Sequence, residues 1–237
     1  MIGFRNIRLL YSRVRVGAQT TTKSEVTQQD PESVRRMGGW LFRYRTSIPI
    51  PIAIALLLIP ASASPSFSPS PFGLGVMIVA GGEAIRLWAV HHIGAISRTR
   101  SDRLGPLIAT GPFASVRNPL YLGNILLWLG FAVSAHLLWL APIILILLAF
   151  EYHAIVRWEE TLLSERLGEP YRRYMQRVPR WLPRLSGEFS RATEPAMPSA
   201  AVFSWRDTLF SERGTLIAIG VGYGLLAIKQ TVLGAWF

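Results

Sequence analysis

Gly111-Pro112-Phe113-Ala114-Ser115-Val116-Arg117-Asn118-Pro119-Leu120-Tyr121-Leu122-Gly123 divides a short basic loop from a long apolar run. Gly111-Pro112 is turn chemistry. Pro119 lacks an N–H and fits the first turn of a helix, with Asn118 as its expected N-cap. Arg117 then stands where a helix begins at a membrane edge, beside backbone N–H groups that favour anions. About forty residues on, Glu159-Glu160 close the next apolar segment. If the intervening residues form a helical hairpin, both of its ends return to one membrane face. A cation, a carboxamide and two carboxylates then meet.

The flanking sequence supports the hairpin. Leu120 to Ala135 is apolar, and so is Leu137 to about Val156, with Ser134-Ala135-His136 between them. So short a connection makes the two helices antiparallel neighbours. The fourth helix is expected to run past the membrane to carry Arg157, Glu159 and Glu160. Two further apolar runs precede the pair. Thr46 to Ala61 holds Pro49 and Pro51 and reads as a short or kinked span. Phe72 to Val90 contains Glu83 and Arg86 at i, i+3, on one helical face. Charges at that depth must be paired or face a polar cavity. Gly214 to Phe237 is a fifth apolar segment, in which Gly220 and Gly224 are spaced for helix packing.

Half of the 237 residues are hydrophobic, and they come in blocks separated from the charges. That distribution defines an integral membrane protein. The expected fold is all-α and polytopic, with about five transmembrane helices. Residues 1–45 form a basic N-terminal segment, disordered or lying on the membrane surface. Residues 46–185 form the membrane core, 186–213 a linker and 214–237 the last helix. With no cysteine, disulfides and thiol nucleophiles are excluded. His91-His92 has no further ligands at metal spacing, so no metal site is expected. The net charge of +11 comes almost wholly from arginine. The aromatic residues lie in the apolar blocks rather than among these charges, which argues against nucleic acid.

The basic residues set the orientation. Of the 25 Lys and Arg, nine precede the first span, four lie in the 91–118 loop and ten lie between 151 and 213. The two turns at the other face carry none. The N-terminus, the Arg117 loop and the Glu-Glu tail are therefore expected in the cytoplasm, as in a bacterial inner membrane. An organellar presequence is the less favoured reading of residues 1 to 24, which are Arg-rich and free of acids.

Gly111-Pro112-Phe113-x-x-Val116-Arg117-Asn118-Pro119-x-Tyr121-x-Gly123 is followed by Glu159-Glu160-x-x-Leu163, then Leu167-Gly168-x-x-Tyr171-x-x-Tyr174, then Val178-Pro179-Arg180-Trp181-Leu182-Pro183. In this order and spacing the motifs resemble the isoprenylcysteine carboxyl methyltransferase family, to which phospholipid N-methyltransferases are similar. The resemblance covers about residues 81 to 183 and takes in Arg86, Trp88 and Ala89. It implies a membrane enzyme that transfers a methyl group from S-adenosylmethionine to a lipid or lipid-linked acceptor.

By that resemblance the cofactor is expected near Arg98, the backbone of Gly105, Pro106, Leu107 and Ile108, Phe113, Asn118, Pro119, Leu120, Tyr121 and Glu159. Arg117, Glu159 and Glu160 are the residues expected to carry the chemistry. Tyr171, Tyr174, Pro179 and Pro183 are expected to fold the tail as a lid. Asn118 stands where the family commonly has His, and Phe113 where it has Tyr. Ile155 replaces an Arg of prenylcysteine enzymes, which leaves the acceptor open between a carboxyl and an amine. A Rossmann-type cofactor site is not expected, because no strand, Gly-rich turn and helix occur in succession. Two other classes compete: an NADPH-dependent sterol-type reductase, which generally lacks the Glu pair, and a non-catalytic membrane scaffold.

Overall fold

A computed structural model describes residues 32–60, 69–94, 107–184 and 204–233. All its regular elements are helical: α1 (Glu32–Tyr44), α2 (Ile50–Leu58), α3 (Pro69–Ile93), α4 (Pro112–Ser115), α5 (Pro119–Ser134), α6 (Ala141–Leu167), α7 (Glu169–Arg177) and α8 (Trp205–Leu233). Stretches within α3, α6 and α8 are long and apolar enough to cross a membrane, and α5 is a shorter apolar helix. The protein is an integral membrane protein.

The expected hairpin forms. α5 ends in a turn in which His136 takes a φ of 57°, a short 3₁₀ turn follows at Leu138–Leu140, and α6 returns. Its 27 residues rise about 40 Å, beyond the roughly 30 Å of hydrocarbon, so Glu159 and Glu160 ride on the same continuous helix. Pro119 occupies the first turn of α5 as expected. Asn118 is at the N-cap position, but its side chain makes no capping bond. It serves a tertiary contact instead.

α3 lies antiparallel against α5 along small residues. A Cβ on Gly75 would strike Ser134 and the Gly130 carbonyl, and one on Gly82 would lie 2.8 Å from the Gly123 carbonyl. Such close backbone approach is what packs helices where no hydrophobic force separates protein from lipid. Gly220 and Gly224, spaced for the same use, meet no heavy atom within 4 Å.

The ends of the chain depart from expectation. Residues 32–44 are not an unpacked tail. α1 is helical, and Gly38 lies so close to Ala154 and Trp158 of α6 that a Cβ would clash. The 46–61 run yields only the nine residues of α2, about 13–14 Å of helix, preceded by a turn at Pro49. Leu56 of α2 nevertheless reaches Lys229, whose Nζ donates to its carbonyl at 2.7 Å. The last helix begins at Trp205 rather than 214. Ser204 caps it, its Oγ accepting the Asp207 N–H at 3.1 Å. Residues 205–213 are thus helix rather than linker, and α8 runs antiparallel to α3. Its register is fixed by His91 stacked on Trp205 and by Phe72 edge-on to Tyr223.

Candidate functional site

The site lies where α5 begins, α6 emerges and the segment after α7 folds back. Glu160 is 7% exposed and accepts from two guanidinium groups. Arg117 Nη1 is 2.9 Å from Oε1, while Arg180 Nε and Nη2 reach Oε1 and Oε2 at 3.1 and 2.5 Å. The second contact is the bidentate geometry that a planar guanidinium offers a carboxylate.

The returning segment is held by its backbone. Arg117 N–H donates to the Pro179 carbonyl at 2.9 Å, and Arg184 N–H to the Ser115 carbonyl at 3.1 Å. Asn118 Nδ2 donates to the Arg180 carbonyl at 3.3 Å. Tyr174 Oη donates to the Phe113 carbonyl at 2.8 Å and is buried with Tyr171 and Val178. Burial, and secondarily for Tyr171 the Glu160 charge, holds both phenols well above the ordinary tyrosine range, so they remain neutral donors.

Glu159 faces elsewhere. It accepts from Tyr121 Oη at 3.1 Å, and the Arg45 guanidinium is close enough to interact electrostatically with both. Tyr121 packs on Tyr152 with ring centroids 4.8 Å apart. The Glu pair therefore divides. Glu160 binds the Arg117 loop and the tail, while Glu159 pairs with Tyr121. A step of about 100° per residue on a helix is the reason.

Among the other expected site residues, Phe113 and Pro119 are buried, and Leu120 and Ile108 are half-buried. Leu107 packs against the Tyr171–Tyr174 cluster. Arg98, Gly105 and Pro106 lie outside the described residues. Arg45 and Arg180 join the cluster without a local sequence signal. Arg180 sits in Val178-Pro179-Arg180-Trp181, where nothing local distinguishes it from a membrane-flanking arginine. Arg45 carried no signal at all. His91 is taken up by Trp205 and Thr208, and His92 by the Trp88 carbonyl. Among the described residues no three His, Asp or Glu side chains form a group that could hold a metal ion.

An apolar groove of about 510 Å³ opens beside the site, lined by Leu122 and Ile125 of α5, Ala149, Phe150 and His153 of α6, and Trp181 and Leu182. Trp181 follows Arg180 directly, so the groove abuts the charged cluster.

Fold and site together define a membrane-embedded helical protein with a charged cluster at one end of a helical hairpin and an apolar groove beside it. Residues 71–170 match the family model described as phospholipid methyltransferase, and over this segment the chain belongs to that family. It is similar to the nickel-cobalt-cadmium resistance protein NccN of Alcaligenes xylosoxydans xylosoxydans, 34% identical over 113 residues that make up 48% of each chain. It is also similar to the cobalt-zinc-cadmium resistance protein CzcN of Cupriavidus metallidurans, 29% identical over 113 residues, 48% of this chain and 49% of that one. An uncharacterized protein of Haemophilus influenzae is 41% identical over 63 residues, 27% of this chain and 79% of its own. The chain thus spans about half the length of NccN and CzcN. No solved structure matches it significantly.

Proposed function

We propose that the protein is an S-adenosylmethionine-dependent methyltransferase acting on a lipid or lipid-linked acceptor, with its site on the cytoplasmic side of a bacterial inner membrane. The observation that carries this reading is the cluster of Arg117, Glu160, Arg180, Tyr121 and Glu159 within and beside the family-matched segment. The buried Arg117 Nε has no hydrogen-bond partner, so one donor is left over where an amino-acid carboxylate would need it. The partly buried Tyr121 ring and the partly buried Glu159 suit the remaining chemistry of that cofactor, apolar base and polar amine or ribose.

When bound, S-adenosylmethionine supplies a methyl group on a sulfonium, open to displacement by a nucleophile. The residues present act around that chemistry. Arg117 binds an anionic group and fixes the start of α5. Glu160 and Arg180 lock the tail over it and exclude water. Glu159, with Tyr121 fixing one oxygen, orients a polar group of the cofactor or takes a proton from an amine acceptor at its carboxylate. Alignment of this kind supplies about 7–11 kcal/mol of a barrier without an acid–base group. The apolar groove beside Trp181 suits the hydrocarbon part of the acceptor. Whether the acceptor atom is carboxyl oxygen or amine nitrogen decides whether Glu159 has a proton to remove.

Calorimetric titration of the purified protein in nanodiscs tests the cofactor. Binding of S-adenosylmethionine is expected. Binding of NADPH alone supports the reductase instead, and binding of neither supports the scaffold. Lipid mass spectrometry of cells with and without the gene, fed labelled methionine, then identifies the acceptor.

A further inference from the structure

A second charged cluster lies deeper in the bundle, and part of it comes from outside the family-matched segment. Glu83 and Glu212 are 6% and 3% exposed. Arg86 lies between them. Its Nη2 donates to Glu212 Oε2 at 2.5 Å and to Thr215 Oγ1 at 3.0 Å. Its Nη1 donates to Asn124 Oδ1, and its Nε is 3.4 Å from Glu83 on the same helix. The family match ends at residue 170, so Glu212 and Thr215 of α8 lie outside the matched segment.

Charges buried this deeply are costly and mark function more often than stability. Anchoring of α8 does not require them. The helix is also held by the His91–Trp205 stack at 4.2 Å, by Ser134 and Tyr223 hydroxyls 3.1 Å apart, and by the Lys229 bond to Leu56. What the cluster does uniquely is aim a guanidinium. With Nη2 taken by Glu212 and Thr215, Nη1 meets the Asn124 carbonyl oxygen, which leaves the amide N–H₂ for the Tyr152 hydroxyl within hydrogen-bonding reach. Tyr152 packs on Tyr121, and Tyr121 donates to Glu159. Side chains in contact thus link α8 to the candidate cofactor site through α3, α5 and α6.

We infer that Glu212 is a positioning residue for the cofactor site: through Arg86, Asn124 and Tyr152 it sets where Tyr121 holds Glu159. The inference rests on the proposed cofactor. Its test uses the full chain in nanodiscs and reads S-adenosylmethionine binding by calorimetry. Substitutions along such networks shift coupling by about 0.5–2 kcal/mol, so Glu212→Gln should weaken binding about two- to thirtyfold. Tyr223→Phe removes another anchor of α8 and should leave binding within about twofold, the few tenths of a kcal/mol expected of a site not linked to the pocket. On a Tyr121→Phe background, Glu212→Gln should add no further loss, because the connection is already cut at its end.

Unchanged binding by Glu212→Gln, equal losses from Glu212→Gln and Tyr223→Phe, or additive losses with Tyr121→Phe overturn the inference and leave the proposed function standing. No binding by the wild type overturns both. If Glu212→Gln does not fold, Thr215→Val removes one acceptor of Arg86 without changing charge. A smaller loss in the same direction supports the inference, and unchanged affinity overturns it.

Discussion

Glu160 pairs with Arg117 and Arg180 at once, so its removal leaves two cations facing each other across a tight loop. Glu160→Ala should detach the segment around Arg180, at about 3–5 kcal/mol for breaking a buried pair, reduced because Arg180 is 27% exposed. Limited proteolysis between α7 and α8 reads this directly: faster cleavage is expected, and an unchanged pattern contradicts it. Arg117 differs from Arg180 in having one buried N–H left over. Lysine keeps the charge and loses that fork. A charged hydrogen bond contributes about 1.5–3 kcal/mol. Arg117→Lys should therefore weaken cofactor binding about ten- to a hundredfold. If its affinity equals that of the wild type, Arg117 is a membrane-edge charge alone.

At the scale of elements, the close fit of α3 on α5 fixes the distance between Arg86 and Asn124. Gly82→Leu places a side chain where the Gly123 carbonyl and Leu126 lie within 3 Å of its Cβ. Overpacking costs about 1–3 kcal/mol or more, and the thermal transition should fall. Gly224→Leu meets open space and should shift stability by less than about 0.5 kcal/mol. Equal effects of the two would contradict this packing. α7 depends on a buried donor. Tyr174→Phe leaves the Phe113 carbonyl unsatisfied, at about 1–3 kcal/mol. Amide exchange in α7 should accelerate about five- to a hundredfold while exchange in α3 stays constant.

For the whole molecule, the course of the helices sets the topology. α1 packs against α6 at Ala154 and Trp158, near the site, yet Leu56 at the far end of α2 meets Lys229. The chain therefore traverses the bundle between them, although α2 alone is too short to span. α8 runs away from the site and ends at that far side, so the first and last helices point to opposite faces. The chain has no cysteine, which makes single-cysteine labelling clean. Leu138→Cys and Leu182→Cys are at exposed positions on the two ends. An impermeant thiol reagent outside intact cells should modify the first and not the second. The reverse pattern inverts the assigned orientation.

The membrane class, the hairpin and the motif around Arg117 are legible in the sequence, because each depends on local apolar blocks, turn residues and spacing. Pro119 at a helix start and Glu159-Glu160 on the extended α6 are consequences of the same kind. The partners of these residues follow from the packing of distant segments. Helical rotation sent Glu160 to Arg117 and Glu159 to Tyr121, which adjacent positions in sequence cannot distinguish. Asn118 became a tertiary donor rather than a cap because the Arg180 carbonyl lies within its reach. Residues 205–213 look like a polar linker until Arg86, 126 residues from Glu212, supplies the counter-charge that lets them enter the bundle as helix. Arg45 is one arginine among many in sequence. Its position beside Glu159 follows from the packing of α1 on α6, an interaction between distant segments that no local pattern encodes.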